Sequence, residues 1–271
     1  IKCNATGIVT NNGVIDVNTN SFFVLNSPST TQLSSANGDI IWNTTSNFSG
    51  ANDSYKNVTI NQSTTCASDF SIKGNFENNA TFTSSSAGNT ITFDGSSSQS
   101  ISGTGTCNFK KITLNNSNGL TLSCNEINVD EVMESTSGAF TQNGSNITIK
   151  SSTANNGGLV KVNSQSDYNY TSGNFIVERY FNATSNGWRM ISCPVKGSTL
   201  ADVDDEFIFC GIDGATASNN FVIADCGHFY NVITYNESSD DYTEVTNVSQ
   251  LISSANGTLI YTSAGEYNLQ M

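Results

Sequence analysis

Apolar residues in this chain alternate with polar ones in very short runs. Between Gly13 and Ala80 the runs read GVIDV, SFFVL, DIIW, NVTI and DFSI, separated by Asn, Ser and Gly. From Ala87 to Lys150 the same grammar continues through TITF, KITL, LTL, EINV and NITIK. A period of two places Ile, Val, Leu and Phe on one face of a strand and Thr, Asn and Ser on the other. No stretch holds a helical period for more than a turn or two, so the pattern predicts an all-β chain.

The strands recur. The segment that begins at Asn37 returns from Ala87, a spacing of about fifty residues. Ile40, Ile41 and Trp42 correspond to Ile91, Thr92 and Phe93; Val58, Thr59 and Ile60 to Ile112, Thr113 and Leu114; Phe70, Ser71 and Ile72 to Ile127, Asn128 and Val129. Repetition of this kind predicts a β-solenoid of parallel β-helix-like repeats over residues 1–172, in which each unit buries its apolar face only by stacking on a neighbour. An up-and-down sandwich is the rival that strand spacing leaves open. Near Asn169 the character changes: aromatics, both arginines and an acidic run crowd together, and HFYNVITYNESSDDYTEV and NGTLIYTS supply further strands. These features predict a smaller β-sandwich-like domain over 173–271, capping the open end of the solenoid.

Composition narrows the function classes. In 271 residues the hydrophobic fraction is 36% and the charged fraction 12%, so the surface is polar but largely uncharged. The net charge is -13, Arg179 and Arg189 are the only arginines, and Lys110 with Lys111 is the densest basic spot. Nucleic acid binding needs a basic stripe to neutralise phosphates, so it is not expected, and an anionic membrane surface is equally unsuited. No apolar run reaches the length of a membrane span. The start at Ile1 fits a processed mature protein.

The seven cysteines are Cys3, Cys66, Cys107, Cys124, Cys193, Cys210 and Cys226. Their spacing matches neither a zinc ribbon nor a Cys-x-x-Cys pair, and it reads as structural disulfides in an oxidising compartment. The preferred pairs are Cys107 with Cys124 and Cys210 with Cys226; the odd cysteine is a buried thiol or an intermolecular link.

Sequons stand at Asn4, Asn43, Asn47, Asn52, Asn57, Asn61, Asn79, Asn115, Asn143, Asn146, Asn169, Asn182, Asn236, Asn247 and Asn256. With 38 Asn and 70 Ser plus Thr, chance supplies about ten such triplets, so the excess is modest. Two readings follow. Covalent N-glycans coat the turns, or the Asn and Ser/Thr side chains stack in ladders along successive coils.

The segments QSISGTGTCNFKKITLNNSNGLTLS, NFIVERYF, GWRMISCPVKGSTLADVDDEF and ITYNE resemble secreted surface proteins of the Bacteroidetes type. Many of these are exported by the type IX secretion system, and in them stacked β repeats precede a VERY…WR…SPV module. The resemblance covers about residues 87 to 265, with IVERY and WRMISCPV its more specific part. It implies an extracellular, cell-surface or adhesin-like scaffold, and it supplies no catalytic residues.

Candidate chemistry is sparse. His228, the only histidine, could join Cys193, Cys210 and Cys226 around zinc, but the spacing and an oxidising setting favour disulfide and surface roles. A Ser-His-Asp triad lacks its nucleophile elbow. Asp202, Asp204, Asp205 and Glu206 could hold Ca²⁺, although a solvated acidic turn is the commoner outcome. Residues 1–168 contain no Arg and no His to assist a carboxylate pair in cleaving polysaccharide. Trp42, Trp188, Tyr180 and Tyr230 could stack on sugar rings, with core packing the commoner fate of such residues. Arg179 and Arg189 are expected to brace the second domain by salt bridges to Glu178 or the acidic run.

The sequence therefore predicts a non-enzymatic extracellular structural protein, with no catalytic residues, metal or cofactor beyond covalent glycans. Its expected form is a glycosylated fibril subunit at or near the cell surface, assembling head-to-tail with copies of itself. The alternative is a monomeric adhesin that binds extracellular glycans, with a β-helix polysaccharide lyase or hydrolase behind it.

Overall fold

The computed structural model describes residues 39–43, 45, 53–152, 157–195, 197–216, 230–252 and 257–271, together with the backbone of strand segments before residue 39 and of Asn220–Phe221. Among the described residues there is no α-helix, and only Gln165–Asp167 and Leu200–Val203 form 3-10 turns. The chain divides into two compact units, residues 1–150 with 158–175 and residues 151–157 with 176–271.

The first unit is a parallel β-solenoid whose coils run through three walls. One wall stacks Asp39–Asn43, Val58–Ile60, Phe76–Asn78, Gln99–Ser102, Leu120–Leu122, Phe140–Asn143 and Tyr168–Ser172. A second stacks Thr64–Cys66 and Thr81–Ser84 with the first halves of Thr106–Asn115 and Glu126–Ser137, then Asn146–Ile149. The third runs from Asp53–Tyr55 through Phe70–Ile72 and Thr90–Phe93 to the second halves of those two long strands and Leu159–Lys161. A register shift between Phe109 and Lys111 bends the long strands so that each serves two walls.

Coil length varies: 18 residues from Val58 to Phe76, 25 from Phe76 to Ile101, 21 from Gln99 to Leu120, 20 from Leu120 to Phe140 and 28 from Phe140 to Tyr168. This corrects the fifty-residue repeat. Ile40 lies on the first wall and Ile91 on the third, Val58 on the first and Ile112 on the third, Phe70 on the third and Ile127 on the second. None of the paired triplets shares a wall. Short alternating strands look alike on every wall, so similarity at a distance does not report which strands stack.

The interior is filled by side chains of successive coils. Phe82 packs edge-on against Phe70 and Phe76, at centroid distances of 6.2 and 5.3 Å, and against Phe109 at 5.8 Å. Polar residues turned inward close the corners. Gln142 is buried, donates to the carbonyls of Ser145 and Asn174, and accepts from the Tyr168 hydroxyl at 2.6 Å. Burial pushes that hydroxyl's pKa well up. Gly103, at φ +105°, turns a corner where a Cβ would lie 2.2 Å from the Asn78 carbonyl oxygen.

Outside, amides stack between coils 18 residues apart. Asn79 donates to Asn61 at 3.0 Å and Asn61 to Asn43 at 2.8 Å, while Asn57 donates to Asp39 at 2.9 Å and accepts from the Asn75 N–H at 2.7 Å. The basic pair Lys110 and Lys111 is met on the next coil by Asp130 and Glu131, at 2.6 and 3.7 Å.

In the second unit the strands are mainly antiparallel. Gly187–Ile191, Thr258–Thr262, Val232–Asn236 and Asp241–Glu244 form a four-stranded sheet in that spatial order, and Phe175–Ala183 pairs with Gly265–Gln270. The core gathers Ile191, Val232 and Ile260 from the sheet with Leu269, Leu200, Val203, Phe207 and Phe209.

Candidate binding surfaces of the second unit

Alternation along the four-stranded sheet sends Ile191, Val232 and Ile260 into the core, so their neighbours point the other way. Trp188 stands opposite Tyr261, Met190 opposite Leu259, Ile233 beside Leu259, and Tyr235 opposite Tyr242. This outer face carries an apolar side chain on each of the four strands, and the exposed Glu244 stands opposite Ile233 on it. Its exposure is 42% at Trp188, 72% at Met190, 41% at Tyr235 and 56% at Tyr242, while Tyr261, Leu259 and Ile233 are half-buried. The rings meet edge to face, Trp188 with Tyr261 at 5.5 Å and Tyr235 with Tyr242 at 5.4 Å. Met190 lies over Gly257, where a Cβ would come within 2.5 Å of it. An outer face with this many partly exposed aromatic and apolar side chains is a candidate binding surface.

Comparison with protein-family models, with curated proteins and with solved structures finds no match.

On the core side of the edge strand Gly187–Ile191 opens a cavity of about 470 Å³. Arg179 and Arg189 both line it, with Phe181, Leu269 and Met271 as an apolar floor. Arg189 donates to the carbonyls of Ser185 at 2.7 Å and Trp188 at 3.2 Å. The expected brace to Glu178 or the acidic run is therefore not what holds Arg189; Glu178 is buried and accepts from the Ser151 N–H at 3.1 Å. The Arg179 guanidinium lies against Gly157, where a Cβ would be 2.9 Å from Nη1.

Of the four aromatics singled out in the sequence, Trp42 is core, Tyr180 and Tyr230 are half-buried, and Trp188 alone lies on the outer face. Tyr235, Tyr242 and Tyr261 were not singled out. The strands of Tyr235 and Tyr261 carry apolar residues on both faces, VITY and TLIYT, and that doubling is the signal that could have marked them; Tyr242, in DYTE, carries no such signal.

The acidic residues do not converge. Asp202 caps the turn Leu200–Val203 by accepting from the Thr199 N–H at 2.7 Å, and Asp204 accepts from the Thr216 N–H at 2.7 Å. The Glu206 carboxyl is pushed up to about 8, first by burial and then by the hydrogen bond and charge of Asp205. Among the described residues no group of three or more His, Cys, Asp or Glu is arranged to hold a metal ion.

The expected Cys107–Cys124 disulfide is not formed. Both are buried thiols, 3.8 Å apart between sulfurs on neighbouring coils, and each fills core space as a small apolar group. Burial pushes the Cys107 thiol up. Cys66 and Cys193 are buried thiols as well, whereas Cys210 is disulfide-bonded. Cys226, its expected partner, lies outside the described residues, as does His228.

The sequons divide by environment. Asn43, Asn57 and Asn61 are half-buried and their amides are held in the ladders, as is that of the more exposed Asn79. Asn115, Asn143, Asn146, Asn169, Asn182, Asn236 and Asn247 are exposed. Asn4, Asn47, Asn52 and Asn256 lie outside the described residues.

Proposed function

We propose that this is a non-enzymatic extracellular surface protein in which the solenoid is a rigid spacer and the second unit binds carbohydrate. The observation that carries the reading is the outer sheet face of Trp188, Tyr261, Tyr235 and Tyr242. Aromatic rings pack against the C–H faces of sugars, whose hydroxyls are left to polar neighbours. The low-charge, Asn- and Ser/Thr-rich composition, the resemblance of IVERY and WRMISCPV to secreted surface proteins, and the disulfide at Cys210 support an extracellular setting. In that setting the exposed sequons would carry N-glycans. The head-to-tail filament expected from the sequence draws on a first coil whose side chains lie outside the description, so adhesion is the form that the described side chains favour.

Glycan-array screening followed by calorimetric titration tests the reading. Saturable binding to a glycan is expected, with a loss of tenfold or more in Trp188→Ala and an unchanged melting temperature, because Trp188 is exposed. A wild type that binds no glycan, or that buries the outer face by self-association in sedimentation experiments, overturns it.

A further inference from the structure

Resting on the carbohydrate-binding reading, we propose that the Arg179–Arg189 cavity is a carboxylate site and that the glycan is an acidic one, bearing uronic acid units. In a chain of net charge -13 an anionic ligand is repelled over most of the surface. Both arginines nonetheless line one open cavity. The two carbonyl oxygens that hold Arg189 are neutral acceptors, so they orient its guanidinium without cancelling its charge. A guanidinium presents five donors in a planar fork that matches a carboxylate, and Arg189 has donors to spare.

The cavity and the aromatic face share one edge strand. Along Gly187–Ile191, Trp188 and Met190 point outward and Arg189 inward. Met190 belongs to both, since it lines the cavity and is 72% exposed on the outer face. A sugar chain resting on Trp188 therefore reaches the cavity around that edge. Ser192 offers a neutral partner to its hydroxyls there, and Leu269 offers an apolar surface to a ring face.

Oligogalacturonate and its full methyl ester share a backbone and differ in charge, so titrating both against the full chain separates the two ideas. The wild type is expected to bind the free acid at least tenfold tighter than the ester, with a preference that shrinks as salt rises. Arg179→Gln/Arg189→Gln should lose the preference and keep ester binding, whereas Trp188→Ala should weaken both. Arg189→Gln alone serves if the double variant unfolds, and Arg189→Lys should retain part of the preference. Equal binding of acid and ester, or a preference that survives the Gln variants, overturns the carboxylate site and leaves the carbohydrate reading standing. Binding of other neutral glycans with neither oligogalacturonate form bound does the same. A wild type that binds no glycan overturns both.

Discussion

Glu206 illustrates how one side chain couples the second unit to pH. Its carboxyl sits at about 8 in the folded state against an ordinary value of 4.5, because burial and Asp205 disfavour the charge. The folded chain thus holds this proton over a range where the unfolded chain has lost it. The group's contribution to stability is complete below about pH 4.5, declines as pH rises, and is gone once pH passes about 8. Partial exposure keeps the effect modest. The melting temperature of wild type should fall more than that of Glu206→Gln between pH 5 and pH 9, as read by circular dichroism; parallel curves would reject the assignment. The carboxylate cluster was visible in the sequence, but its members were not separable there. Each one's role follows from the N–H or carboxyl that faces it, and the fold supplies those partners.

At the scale of elements, a solenoid coil is held by its neighbours rather than by itself. Phe82 touches the rings of Phe70, Phe76 and Phe109 and is fully buried, so it ties adjoining coils together. Phe82→Ala should cost about 3–5 kcal/mol in chemical denaturation, and a loss below 1 kcal/mol would mean that the coils close over the gap. The strands themselves were legible from alternation: DIIW, NVTI, DFSI, TITF and KITL all form where period two places them. Their stacking was not. Ile40 and Ile91 occupy matching places in similar strings yet lie on different walls, because turn length, not strand composition, decides where the chain next meets each wall.

For the whole molecule, the cysteines give the plainest test. Cys66, Cys107, Cys124 and Cys193 are buried thiols. Titration with an aromatic disulfide reagent should find them unreactive in the native chain and should count at least these four after denaturation without reductant. A count two lower would mean that Cys107 and Cys124 are joined after all. The same scale separates the aromatics. Trp42 disappears into the solenoid core and Trp188 reaches the outer face of the second unit, although both sit in short apolar strings.

The sequence by itself determined the strand grammar, the absence of helical periodicity and the change of character near Asn169. All of these are local: backbone geometry makes side chains alternate with a period of two, and the choice of residue at each position is written in the chain. The tertiary structure decided which wall each strand joins, that Cys107 and Cys124 meet without bonding, and that Trp188, Tyr235, Tyr242 and Tyr261 form one outer face while Arg179 and Arg189 share a cavity. A strand with apolar residues on both faces carries no mark of which side will be covered. That depends on the partner that packs against it, and the partner comes from a distant part of the chain.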